Sequence, residues 1–300
     1  MGILWGAISA AAYGLIPLFT LPLLEKGIPV GATLVYRFAI AFIAMLPLVL
    51  SSGNRIIVTC KEFGSLAILS GFYIFAVVAF FHSFEFLPSS IAATIQFLYP
   101  VMVMLIMVIF FGEKFNWLVV ISVILGFAGV VFLSFASMPV AELDTAEKIN
   151  HGLMTGVMLS LLAGLGNSLY MVSLQVTKLP GLSGFVITFY VMFFGALYTF
   201  IYAAASGSLE WIASLQELVI AVLLALVTAV FSNLALVWSI QRTGSTLAAI
   251  LGVMEPLTAV CVGVTVFNEA FTTALAAGII FILSSVIIAI FTPQSGSIKP

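Results

Sequence analysis

Ten stretches of mainly apolar residues follow one another along the chain, at 2–24, 31–50, 63–83, 89–111, 115–135, 152–173, 183–204, 217–239, 245–267 and 271–291, each bounded by charges, Gly, Pro or polar clusters. About 20 apolar residues in helical rise cover the hydrocarbon thickness of a bilayer, so each stretch predicts a spanning α-helix. Most connections run three to twelve residues. They leave no room for a soluble catalytic domain or a nucleic-acid-binding module. The longest link, Ala136–His151, is acidic through Glu142, Asp144 and Glu147.

The interruptions recur in register. Sliding the chain against itself by 156 residues lays Ala92-Ala93 on Ala248-Ala249, Pro100 on Pro256, Phe111 on Phe267 and Glu113 on Glu269; Phe75, Ala79, Ser83 and Phe115 fall on Phe231, Ala235, Ser239 and Phe271. At a shift of 150, Gly2, Gly6 and Gly14 fall on Gly152, Gly156 and Gly164. The pattern predicts an all-α membrane protein of two five-helix repeats, 1–135 and 152–291, joined by an external linker at 136–151 and ending in a short tail at 292–300. An odd number of spans per repeat turns the second upside down relative to the first. Inverted repeats of this kind place a substrate site near the midplane, where the halves meet. The Gly-x-x-x-Gly pairs are read as close helix contacts within the chain rather than as a dimer interface; monomer and homodimer both stay open.

Composition agrees: 63% of residues are hydrophobic, 7% are charged, and the mean hydropathy is +1.32. The solvent for this surface is lipid. The first run lacks a basic n-region and is too long for a signal-peptide core, so it is read as the first span. With the N-terminus cytoplasmic, Arg55, Lys61, Lys114, Lys178, Arg242 and Lys299 lie inside and only Lys26 and Lys148 outside. The positive-inside rule therefore predicts cytoplasmic termini. Cys60 in a loop and Cys261 in a span make no disulfide framework.

Tyr36-Arg37-Phe38 early in the second span, and two copies of a Pro-to-Glu segment closing the fourth and ninth, carry a family resemblance. The copies run from Gln96-Phe97-Leu98-Tyr99-Pro100 to Glu113 and from Val253-Met254-Glu255-Pro256 to Glu269. The chain resembles the drug/metabolite transporter superfamily, and within it the EamA-type group that includes YddG-like amino-acid exporters. That resemblance implies a ten-helix secondary transporter of the inner (plasma) membrane, exporting small metabolites such as aromatic or other neutral amino acids, without a cofactor. It also pushes Arg37 toward a structural or gating role. The first copy carries Tyr99 where Glu-Pro is commoner, which leaves one central carboxylate.

That carboxylate is Glu255, directly before Pro256 in an apolar run. A charge at this depth costs several kcal/mol unless it is paired, protonated or facing water. It is expected to bind a substrate ammonium or a proton, with a helix-tying carboxyl as the bland alternative. Pro100 and Pro256 are expected to kink their helices and free backbone carbonyls. Arg37 lies at a depth that allows pairing with Glu255 or binding of a substrate carboxylate. His82 and Glu85 share a helix face and are expected either to relay protons or simply to end a helix. Gln96, Tyr99, Asn167, Tyr170, Asn233 and Trp238 are expected to line a polar-aromatic cavity, or to bond across helices. Glu113 and Glu269 are read as interfacial caps.

Rival classes fit poorly. Gly181-Leu182-Ser183-Gly184 has the look of a rhomboid serine motif, but both histidines precede it, whereas that mechanism needs a later one. Asp144 is the only aspartate, so no intramembrane aspartyl dyad exists, and no Cys/His spacing suits a metal. Phosphorylated substrates call for several deep cations; only Arg37 is deep. A passive channel suits the repeat and the kinked helices less well than alternating access does. Alternatives within the superfamily are nucleosides, cationic drugs and sugar phosphates. The expected partners are the lipid bilayer and a small-molecule substrate.

Overall fold

A computed structural model describes residues 1–53, 56–87, 89–113, 116–136, 152–177, 182–266 and 272–291. The acidic linker beyond Ala136, the tail, and Lys114, Lys148, Lys178, Phe115, Phe267 and Glu269 lie outside the described residues. The described chain is helical: α1 Gly2–Tyr13, α2 Ile16–Glu25, α3 Val30–Ser51, α4 Cys60–Ser83, α5 Ser89–Gln96, α6 Tyr99–Phe111, α7 Trp117–Ala136, α8 Gly152–Val176, α9 Gly184–Ala205, α10 Leu215–Leu223, a π-helix Leu224–Phe231, α11 Ser232–Thr243, α12 Ser245–Leu251, α13 Met254–Val266 and α14 Thr273–Phe291.

Among the described residues six helical stretches are long and apolar enough to cross a membrane: Gly2–Glu25, Val30–Ser51, Cys60–Ser83, Gly152–Val176, Gly184–Ala205 and Leu215–Thr243. Shorter apolar helices fall within the fourth, fifth, ninth and tenth expected spans. Side chains such as Ile43, Ile109, Phe110 and Ile280 stand exposed, as a lipid-facing surface requires. Helix starts follow local chemistry. Thr59 with Glu62 and Ser214 with Glu217 form capping boxes, and Ser183 caps α9, each satisfying amide donors that a helix start leaves open.

The expected kinks are breaks. The fourth expected span stops at Gln96 and restarts at Tyr99; the ninth stops at Leu251 and restarts at Met254. Pro100 is second and Pro256 third in the new helix. There proline removes no intrahelical bond and its fixed φ suits the first turn. The first span also breaks, between Tyr13 and Ile16, with Pro17 again second in the new helix; this break was not expected. The predicted eighth span contains the π-helix, a geometry that frequently marks functional sites.

Packing pairs α1 with α11, α4 with α8, α3 with α9 and α7 with α14. On the face where the chain starts, a Cβ on Gly2 would lie 2.8 Å from Arg242 Cβ, and Trp5 meets Trp238 at 4.8 Å between ring centroids. On the opposite face Lys26 pairs with Glu217 at 3.6 Å, and Phe86 and Leu87 close on Gly156.

Candidate functional site

The three breaks converge. Tyr13, at the end of α1, Tyr99, at the start of α6, and Glu255, second in α13, line both lobes of a central cavity. One lobe is completed by Ser9, Tyr73, Asn167, Ser232, Asn233 and Gly252; the other by Phe80, Gln96, Phe97 and Pro256, and both are narrow, with room of about 20 and 50 Å³.

Backbone approach makes this convergence possible. A Cβ on Gly14 would collide with the carbonyl of Glu255, and one on Gly164, its repeat equivalent, would stand 2.9 Å from the carbonyl oxygen of Gln96. Gly252 leaves room for the Tyr99 hydroxyl. That hydroxyl donates to Glu255 Oε1 at 3.2 Å. The two residues are 156 positions apart, so equivalent positions of the two copies meet.

Glu255 is half-buried, and no ion pair engages it among the described residues. The pairing with Arg37 that the depth of the two residues allows is not formed. Arg37 is fully buried and donates from Nη2 to the Thr228 carbonyl in the π-helix at 3.1 Å. Tyr13 separates the two, its ring centroid 5.8 Å from Arg37 Cζ. Depth alone allowed the pair; a helix break that inserts an aromatic ring removed it.

Gln96 and Asn167 line the cavity. Asn233 does too: it accepts from the Tyr170 hydroxyl at 3.1 Å through Oδ1, and its Nδ2 lies 2.9 Å from the same oxygen. Tyr170 stacks on Tyr73 at 4.8 Å, and the Tyr73 hydroxyl also reaches Asn233. Tyr170 therefore acts behind the wall rather than on it. Trp238 lies on neither lobe; it packs edge-on against Trp5 and Phe185 near the end of α11. His82 and Glu85 are likewise remote. His82 Nδ1 meets Glu85 at 2.9 Å, and its Nε2 meets the hydroxyl of Tyr202 on α9. Glu113 accepts from Thr246 at 2.7 Å, tying the end of α6 to the start of α12.

Several cavity residues escaped the sequence reading, Ser9, Tyr13, Tyr73, Phe80 and Ser232 among them. The signal for Tyr13 was present in Tyr13-Gly14-Leu15-Ile16-Pro17, since a Gly/Pro-interrupted span is the best sequence pointer to a midplane site. Tyr73 had no such flag.

The sequence itself matches the EamA-like transporter family over residues 1–135 and again over 154–291. The chain belongs to that family. This EamA-like transporter is thus a multi-pass membrane protein with two copies of the family unit, and family members move small molecules across membranes rather than transform them. No curated protein matches it in sequence. A protein of known crystal structure superposes with a TM-score of 0.81 over 96% of this chain and 96% of its own, at 16% identity. At that identity the likeness speaks for the fold alone.

Proposed function

We propose that this EamA-like transporter is a ten-span secondary transporter that exports small metabolites, foremost aromatic or other neutral amino acids, by alternating access around the central cavity. One observation carries the reading. Glu255 lines both lobes, takes only a neutral hydroxyl as its partner, and faces no cation among the described residues. A carboxyl so placed binds a substrate ammonium or a proton.

In this reading Gln96 and Asn167 orient polar groups, Tyr99 and Tyr13 supply aromatic wall, and Tyr170 holds Asn233. The inverted arrangement of the two five-helix units is supported by the Tyr99–Glu255 contact, because equivalent residues of two copies touch only near the axis that relates them. Loop charges favour a plasma-membrane protein with cytoplasmic termini, so Trp5, Phe185 and Trp238 would close the cytoplasmic end and the His82–Glu85–Tyr202 cluster the external end.

Counterflow in proteoliposomes tests the proposal, using a panel of amino acids, nucleosides, cationic drugs and sugar phosphates with and without a pH gradient. Exchange of neutral amino acids is expected. Exchange confined to sugar phosphates, or an absence of every ammonium-bearing solute, would overturn it.

A further inference from the structure

Among the described residues Arg37 is a buried charge without a counter-charge. Its residue is 0% exposed, Nη2 donates to the Thr228 carbonyl, and Nε and Nη1 have no hydrogen-bond partner. A guanidinium presents five N–H donors and accepts nothing. The rings of Tyr13, Phe38 and Phe81, with centroids 5.8, 5.4 and 5.6 Å from Cζ, offset part of the lost hydration, and the Tyr13 hydroxyl interacts with the guanidinium, but none of them supplies a counter-charge. Among the described residues no carboxylate forms an ion pair with it.

Removing a charge from water is strongly unfavourable unless a partner compensates it. A fold that keeps one unpaired in this conformation points to a partner that arrives in another. The route is visible. Tyr13 faces Arg37 with its ring while lining both lobes of the cavity, and it directly precedes the break between α1 and α2. Turning it aside would open the guanidinium to the cavity without unwinding a helix.

We infer that Arg37 is a carboxylate subsite: the carboxylate of a zwitterionic substrate displaces Tyr13 and takes the unpartnered guanidinium donors. Arginine suits this role, because its planar fork matches a carboxylate and stays charged at every relevant pH. The inference deepens the proposed function, and only the ammonium half of the zwitterion rests on Glu255.

The test uses the purified full-length protein and three probes: L-phenylalanine, phenethylamine, which lacks the carboxylate, and 3-phenylpropionate, which lacks the ammonium. Affinities are read from ligand-dependent thermal shifts. The wild type is expected to prefer phenylalanine over phenethylamine by at least about tenfold, since a site built for a polar group rejects the analogue without it. Arg37→Gln should abolish 3-phenylpropionate binding and lower phenylalanine to the level of phenethylamine, leaving phenethylamine unchanged. The unliganded variant should melt no lower than the wild type, because it loses an unpaired charge. Arg37→Lys should restore part of the carboxylate preference, and it keeps the test decisive if the Gln variant fails to fold. A wild type indifferent to the carboxylate, or an Arg37→Gln protein that melts far lower and weakens all three probes equally, would overturn the inference. Binding of 3-phenylpropionate without either amine would sink the ammonium role of Glu255 and leave the Arg37 subsite standing.

Discussion

Tyr99 and Glu255 occupy the same position in the two repeats, yet one is a neutral donor and the other an acid, and they bond to each other at 3.2 Å. Two carboxylates at this contact would repel, and an acid facing a phenol is satisfied whether or not it carries a charge. Glu255→Gln keeps the shape and removes the titratable group. We expect counterflow of ammonium-bearing solutes to fall at least about tenfold while the thermal midpoint stays close to wild type, a neutral amide being cheaper to bury than a carboxylate. Because Arg37 and Glu255 are not paired, adding Arg37→Gln should restore nothing; recovery of transport in the double variant would show that they pair during the cycle. Tyr99→Phe removes only the hydroxyl, a change of about 0.5–1.5 kcal/mol. Its transport, measured in the same assay, should weaken several-fold without vanishing.

At the scale of elements, broken helices make the site. Three spans stop and restart at mid-length, and the glycines on the neighbouring helices let the exposed backbone approach: Gly14 against Glu255, Gly164 against Gln96. Side chains at those glycines would have to push backbone apart, at a cost of about 1–3 kcal/mol each. Gly14→Val and Gly164→Val should therefore lower the thermal midpoint in detergent and reduce transport together. Gly64, in α4, offers a control, since a Cβ there meets nothing within 4 Å. Gly64→Ala should leave the midpoint unchanged or raise it, by the roughly 0.5–1 kcal/mol that separates the two residues in a helix. The prolines announced two of these breaks in the sequence. Their consequence, a new helix start rather than a bent helix, follows from where the preceding helix stops, which packing fixes.

For the whole molecule, the helix ends that meet are mutually consistent. The start of α1 meets the end of α11, Gln175 at the end of α8 accepts from the Ser245 hydroxyl at 2.6 Å, and Lys26 reaches Glu217 on the other face. A chain that crosses back and forth brings together ends of this kind. Native Cys60 is exposed on one face and Glu210 is exposed in the connection between α9 and α10. With cytoplasmic termini, and in a Cys261→Ser background, an impermeant maleimide applied to intact cells should leave Cys60 unlabelled and label Glu210→Cys. The reverse pattern would invert the molecule in the membrane.

The sequence by itself determined the class, the approximate position of the apolar helices and the repeat, and it singled out Glu255, which lines the central cavity. Hydrophobicity, chain periodicity and the cost of a lone carboxylate in lipid are local quantities, readable without coordinates. Only the tertiary structure decided who faces whom. Arg37 and Glu255 matched in depth but were separated by Tyr13; Trp238 shared a helix with Asn233 but turned away to Trp5; His82 found Tyr202, 120 residues away. Rotation about a helix axis and the closeness of two backbones depend on how every neighbour packs, and no pattern along one chain carries that information.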